Sequence, residues 1–139
     1  MKILYFHQHF STPKGSTGTR SYEFSQALIR AGHQVTMVCG SYWIANSGLK
    51  NKFISGMRKG VVDGISVIEL ELPYSNSDNF FRRTSLFIKF SIAGIKIALT
   101  ESYDLLFAPS TPLTAGVPGI ISKIVKLNFK FLIKSKLNL

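Results

Sequence analysis

The first forty residues constrain the fold more than any other stretch. "KILYF" at 2–6 is a short, mostly apolar run of the kind that forms a strand covered on both faces. After a loop over 10–19, Phe24, Ala27, Leu28 and Ala31 recur at helical spacing. Gly32 stands where a helix end takes the left-handed conformation. "QVTMVCG" at 34–40 then reads as a second strand. Two strands with a helix between them predict a parallel pair joined by a crossover, which is almost always right-handed.

The remaining sequence continues this alternation. Residues 41–60 are polar, glycine-bearing and basic, and read as a surface excursion. "VVDGISVIELEL" predicts two strand pieces around Asp63-Gly64, the dipeptide of a tight hairpin turn. "PYSNSDN" is a loop, and a long helix is expected from Phe80 to Ser102. "DLLFAPS" is a strand breaking at Pro109, "TPLTAGVPGIISKIVKL" a loop leading into a helix, and "FKFLIK" a last strand. There is no internal repeat and no low-complexity linker. The expected fold is α/β: a Rossmann-like, doubly wound, mostly parallel sheet. At 139 residues the chain is of one-domain length, and 45% hydrophobic against 17% charged residues excludes a disordered chain.

Charge narrows the partners. The formal net charge is +10, and residues 105–139 hold five lysines, Lys123, Lys126, Lys130, Lys134 and Lys136, with no carboxylate. Such a field attracts nucleic acid, anionic lipid headgroups or sugar diphosphates. A nucleic-acid-binding module would explain the charge but not the strand–helix–strand order, and no aromatic platform is interleaved with the basic residues. No nucleic-acid partner is expected. The single cysteine, Cys39, excludes an internal disulfide, fits a reducing compartment and reads as a small buried hydrophobe. The apolar run after Met1-Lys2 is too short for a secretory signal, so a cytoplasmic location is expected.

The loop "PKGSTGTR" is the first candidate site. Between a strand and a helix, Gly15, Ser16, Thr17, Gly18, Thr19 and Arg20 place backbone N–H groups and a positive dipole end together, and Arg20 adds a fixed charge. Thr19 or Gly18 is the expected helix cap. The spacing is not G-x-G-x-x-G, and no Gly-Lys-Ser/Thr of a P-loop is present. Spacing alone therefore leaves two readings open: a phosphate contact, or a glycine-permitted turn with a surface arginine.

Other chemistry-bearing residues are fewer. His7 and His9, two apart, share one side if the first strand continues through them, and are candidate base or hydrogen-bond donors. They lack a third ligand for a metal. His33 is expected to satisfy local backbone groups. Glu69, Glu71 and Asp78 are not spaced as a catalytic pair and read as surface charge. No nucleophilic triad is apparent. The helix "FFRRTSLFIKFSIAGIKIALTES" is too interrupted to span a bilayer. Arg82, Ser85, Lys89 and Lys96 fall near one line of it, with Phe81, Ile88, Ile92, Ile95 and Leu99 mostly elsewhere. A crossover helix packing that apolar side on the sheet is expected, with Arg82, Arg83, Lys89 and Lys96 as contacts to an anionic membrane surface.

"GTRSYEFSQALIRAGHQVTMV", "GVVDGISVIEL" and "FAPSTPLTAGVPGIISK" together resemble the N-terminal domain of family 4 glycosyltransferases, in particular bacterial O-antigen and capsule enzymes of the N-acetylfucosaminyltransferase kind. The resemblance runs from Met1 to about Phe131. It implies the acceptor-side half of a GT-B architecture, in which two Rossmann-like domains face a cleft. It also implies a retaining transfer that needs no metal or other cofactor, from a nucleotide-sugar to a lipid-linked glycan acceptor at the inner face of the cytoplasmic membrane. Carried over, Gly15 to Arg20 face the donor diphosphate and acceptor, and Ser110, Thr111 and Pro112 of the "STPLT" loop open on the same cleft.

The chain departs from the family after Phe131. Members continue into a strand ending E-x-R-D-L-W-P, whereas here the sequence reads "FKFLIKSKLNL". The expectation is a domain over 1–131, an aberrant basic tail over 132–139, and no donor-binding domain. The family's donor-binding glutamates belong to that second domain, so the chain alone is expected to be inactive. The alternative is a split enzyme, with this chain as a non-catalytic acceptor- or membrane-binding subunit and residues 105–139 as its interface.

Overall fold

The computed structural model describes residues 1–109 and 116–125 in full and 130–134 as backbone. Among them the elements run β1 (Lys2–Phe6), α1 (Arg20–Arg30), β2 (Gln34–Tyr42), β3 (Met57–Val62), β4 (Ile65–Tyr74), α2 (Phe80–Thr100), β5 (Leu105–Pro109), α3 (Val117–Val125) and β6 (Lys130–Lys134). They form one sheet in the order β3-β4-β2-β1-β5-β6. Every pairing is parallel except β3 with β4. The Rossmann-like α/β fold expected from the alternation is the fold observed. Strand β6 pairs with β5 along Lys130–Lys134, so residues on both sides of position 131 belong to one strand.

The Asp63-Gly64 turn forms the predicted hairpin. Asp63 (φ 49°) and Gly64 (φ 81°) are both left-handed, the geometry that matches the twist of a two-residue hairpin. The tip is latched onto α1, because Tyr22 Oη donates to Asp63 Oδ2 at 2.9 Å and Gln26 Nε2 donates to the Asp63 carbonyl at 2.8 Å.

Alternation along the strands divides the core into two layers. Leu4, Phe6, Val38, Ile68, Leu70 and Leu106 pack beneath α2 with its Phe90, Ile97 and Ala98. Ile3, Tyr5, Val35, Met37, Val67 and Phe107 face α1 on the other side. Cys39 is fully buried in this second layer, as expected.

Both helices differ from their predicted faces. On α1 the buried positions are Ser21 and Ser25, flanked by Tyr22, Leu28 and Ile29. Ala27 and Ala31 are exposed, and Phe24 lies at the margin, edge-on to Tyr5 with ring centroids 6.0 Å apart. Serine is small enough for close approach to the sheet, and Ser25 Oγ donates to the Ser21 carbonyl (2.8 Å), which removes the cost of burying that hydroxyl. On α2 the sheet is met by Leu86, Phe90, Ile97 and Ala98, while Phe81, Ile88 and Ile92 point outward. The stripe expected to pack inward is thus largely the solvent side.

Glu69 also overturns the surface-charge reading, since it is buried in β4. Arg58 Nε and Nη2 donate to its two oxygens at 2.9 and 3.1 Å, and Ser47 Oγ bonds to it as well. The guanidinium also donates to the Asn51 carbonyl (3.0 Å) and lies 4.5 Å over the Phe53 ring. This ion pair, with the Asn51 side chain donating to the Lys59 carbonyl at 3.2 Å, helps fasten the 43–56 excursion to the sheet edge. Glu71 is exposed, and Asp78 is half-buried and paired with Arg82 at 3.3 Å.

Candidate functional site

In a parallel sheet the loops after the strands gather at the carboxyl edge, and a crevice opens where the strand order reverses. Here the reversal lies between β1 and β5, which are neighbours inside the sheet. The segment 7–19 leaves β1 on one side of that point. Ser110, Thr111 and Pro112, which follow β5 in the sequence, lie outside the described residues.

The glycine loop is a packed structure with an open end. Thr12 N and Oγ1 both donate to the Asn46 carbonyl (2.8 Å each), Asn46 N donates to Ser11 Oγ (3.0 Å), and Ser16 N donates to the Ile44 carbonyl (3.0 Å). A Cβ on Gly15 would run into Ser11 Oγ and the Asn46 amide, so glycine is required there by close approach of two backbones. Gly18 is different, because nothing lies within 4 Å of where its Cβ would stand. Thr19 holds the cap position of α1 but makes no side-chain cap bond. The first-turn amides of α1 are therefore not closed by the side chain that the sequence offers for it. Arg20 is exposed beside them, and Thr17 Oγ1 is buried without a protein partner.

His7 and His9 do not share a side. Strand β1 stops at Phe6, and the chain turns, with Phe10 N donating to the His7 carbonyl at 3.2 Å. His7 faces α1, where Nδ1 is 2.8 Å from Ser21 Oγ. Burial, reinforced by His9 and Arg20, lowers its pKa to about 4, so the ring is neutral at neutral pH and Nε2 is the nitrogen left for a ligand. His9 instead sits between Tyr42 and Tyr74, with ring centroids at 5.0 and 4.7 Å. Its pKa is also lowered, by burial first and then by Arg83, and its Nδ1 is buried without a partner.

The sequence did not mark Gln8, Tyr42 or Tyr74. β2 and β4 run two residues past their predicted ends, which sets Tyr42 opposite Tyr74 at the carboxyl edge. Phe87 of α2 stacks on Tyr74 at 5.7 Å. Arg83, expected at a membrane, has its guanidinium 5.7 Å over the Tyr74 ring. Gln8 is 1% exposed, and both its amide atoms lack a partner. A buried amide with no hydrogen bond is costly, and Gln8, next to His9 in the chain, calls for a polar partner. The legible signal was the length of the two strands, not any spacing of polar residues.

The other predicted groups lie elsewhere. Arg82, Lys89 and Lys96 are exposed on α2. The His33 backbone N–H donates to the Leu28 carbonyl at 3.0 Å, but the ring meets the terminal amine of Met1. Among the described residues no three His, Cys, Asp or Glu side chains converge on a point for a metal ion.

No protein-family model matches the sequence, and no curated protein sequence matches it. Solved structures share the fold. The C-terminal domain (residues 78–226) of the PF1911 hydrogenase from Pyrococcus furiosus superposes with a TM-score of 0.60 at 13% identity, over 96% of this chain and 90% of that one. A sucrose-phosphate synthase from Thermosynechococcus elongatus gives 0.59 at 17% identity, over 95% of this chain. The chain spans 32% of that synthase. At these identities the likeness defines a Rossmann-like domain.

Proposed function

We propose that this chain is the acceptor-side domain of a two-domain glycosyltransferase of the family 4 type. The donor is a nucleotide-sugar, the acceptor a lipid-linked glycan of surface-polysaccharide synthesis, and the place of work the inner face of the cytoplasmic membrane. One observation carries the reading: the uncapped first turn of α1, with exposed Arg20, open Gly18 and unpartnered Thr17 Oγ1, sits at the β1/β5 reversal of the sheet. First-turn amides and a guanidinium together suit the oxygens of a diphosphate. The likeness to a sucrose-phosphate synthase supports a glycosyltransferase-derived domain.

In this reading the donor diphosphate lies over residues 15–21. Neutral His7, oriented by Ser21, holds a sugar hydroxyl through Nε2, and no metal is called for. The Gln8–His9–Tyr42–Tyr74 cluster meets the acceptor glycan, since rings and amides suit the faces and hydroxyls of sugars. A second domain supplies the main donor contacts, so this chain mixed with a nucleotide-sugar and a lipid-linked acceptor forms no product.

The test is an amide NMR titration of the whole chain with UDP and, separately, inorganic pyrophosphate. The expected result is a progressive shift of the amides of residues 15–21, with affinity reduced about tenfold in Arg20→Ala. Shifts that avoid this segment, or that are identical in the variant, would overturn the assignment. Sugar transfer by the chain alone would show that the acceptor-side reading is wrong.

A further inference from the structure

The outward side of the α2/α3 layer combines two features that are usually separated. Phe81 (80% exposed), Ile88 and Ile92 (62%) form a line along α2, at spacings of seven and four residues. Ile120 and Ile124 (73%) are exposed on α3, which packs against α2 where Pro118 meets Gly94. One position further round α2, at spacings of seven, stand Arg82, Lys89 and Lys96, and α3 adds exposed Lys123. Neither helix contains a carboxylate. The acids that bracket α2 are already engaged, Asp78 with Arg82 and Glu101 with Lys59 at 3.2 Å.

We infer that this face docks on an anionic lipid bilayer, with α2 lying in the interface plane, the Phe81–Ile88–Ile92 ridge in the acyl boundary and Lys89 and Lys96 at the headgroups. Charge selects this occupant. An apolar ridge flanked by cations and free of anions matches a surface that is negative outside and apolar within. A second copy of the same chain would set two such positive faces together in a molecule of net charge +10. Arg83, turned over Tyr74 at the carboxyl edge, is not part of the face. The inference deepens the proposed reading, since a lipid-carried acceptor would reach the carboxyl edge from the membrane at the N-terminal end of α2, but its evidence is this surface alone.

The experiment is co-sedimentation of the whole chain with phosphatidylcholine vesicles and with vesicles containing roughly one-third phosphatidylglycerol. Binding to the anionic vesicles is expected to exceed that to the neutral ones at least about tenfold and to fall with added salt. Lys89→Gln with Lys96→Gln should abolish the anionic preference. Ile88→Ser with Ile92→Ser should weaken binding about tenfold. Both pairs replace exposed side chains, and unchanged thermal midpoints would show that folding is intact. Sedimentation indifferent to anionic lipid, or variants that bind as the parent does, would overturn the inference. So would a sedimentation-equilibrium mass showing that a second copy covers the face. The UDP titration of the same variants separates the two proposals: shifts at residues 15–21 that persist without vesicle binding leave the diphosphate site standing and remove only the membrane face.

Discussion

The two faces of the sheet are held by different physics. Beneath α2 the contacts are mainly apolar, with Phe6 and Phe90 meeting edge to face at 6.4 Å, Leu4, Leu70, Ile97 and Leu106 around them, and one buried bond from the Tyr103 hydroxyl to the Ala98 carbonyl (2.9 Å). Beneath α1, more directed polar bonds are added to the apolar packing: Ser21 to His7, Ser25 to the Ser21 carbonyl, and the Asp63 latch on Tyr22 and Gln26, while beside it Glu69 is bonded to Arg58 and Ser47 under the 43–56 excursion. Burial of apolar area is strong but non-directional, whereas a hydrogen bond is weaker in net terms and fixes orientation. The α1 face is thus the one that can hold a loop and an imidazole in set positions. The α2 face supplies stability, and its helix has apolar surface left over for the outside.

The contrast can be broken most forcefully at Phe90. Replacement by alanine should cost about 3–5 kcal/mol, seen as a lower urea midpoint with unchanged slope. A loss below about 1 kcal/mol would mean that α2 is not the main anchor. Next in size is the effect of acid on the α1 face. His7 is held neutral, with a pKa lowered from 6.5 to about 4, so its contribution is complete above 6.5 and declines as pH falls toward 4. The shift corresponds to about 3 kcal/mol, and urea midpoints measured from pH 7.5 to pH 4 should show a decline that flattens in His7→Gln. An equal slope in the variant would assign the acid sensitivity to other groups. The smallest effect is expected at Ser21. Ser21→Ala should cost about 1 kcal/mol and change the His7 pKa little, read by NMR, because burial, followed by His9 and Arg20, is what lowers it. A larger change in the pKa would make the hydroxyl, not burial, the main influence.

Much of the architecture was legible because it is local. The strand–helix–strand order of the first forty residues, the Asp63-Gly64 turn and the long helix from Phe80 each follow from spacing within one segment. Glu69 reads as surface charge in the linear sequence, but the hairpin register gives it a partner. A two-residue turn at 63–64 pairs Val62 with Ile65 and hence, four steps on, Arg58 with Glu69. The signal was a register, and it becomes visible only when hairpin partners are written opposite each other. A strand running on through His7 and His9 would put them on one side, whereas β1 stops at Phe6 and the turn at 7–10 sends them to different sides.

The sequence by itself determined the class of fold, the hairpin, the glycine loop at the end of β1 and the small buried Cys39. All of these rest on interactions within a few residues or on a period of two or 3.6. Only the tertiary structure decided which stripe of α2 is buried, that serines and not alanines line α1, and that Gln8, His9, Tyr42, Tyr74 and Arg83 meet at one edge. Those residues come from three strand ends and a helix, far apart in the chain. What brings them together is the register of parallel strands, which local sequence does not encode and which is set by the packing of whole faces.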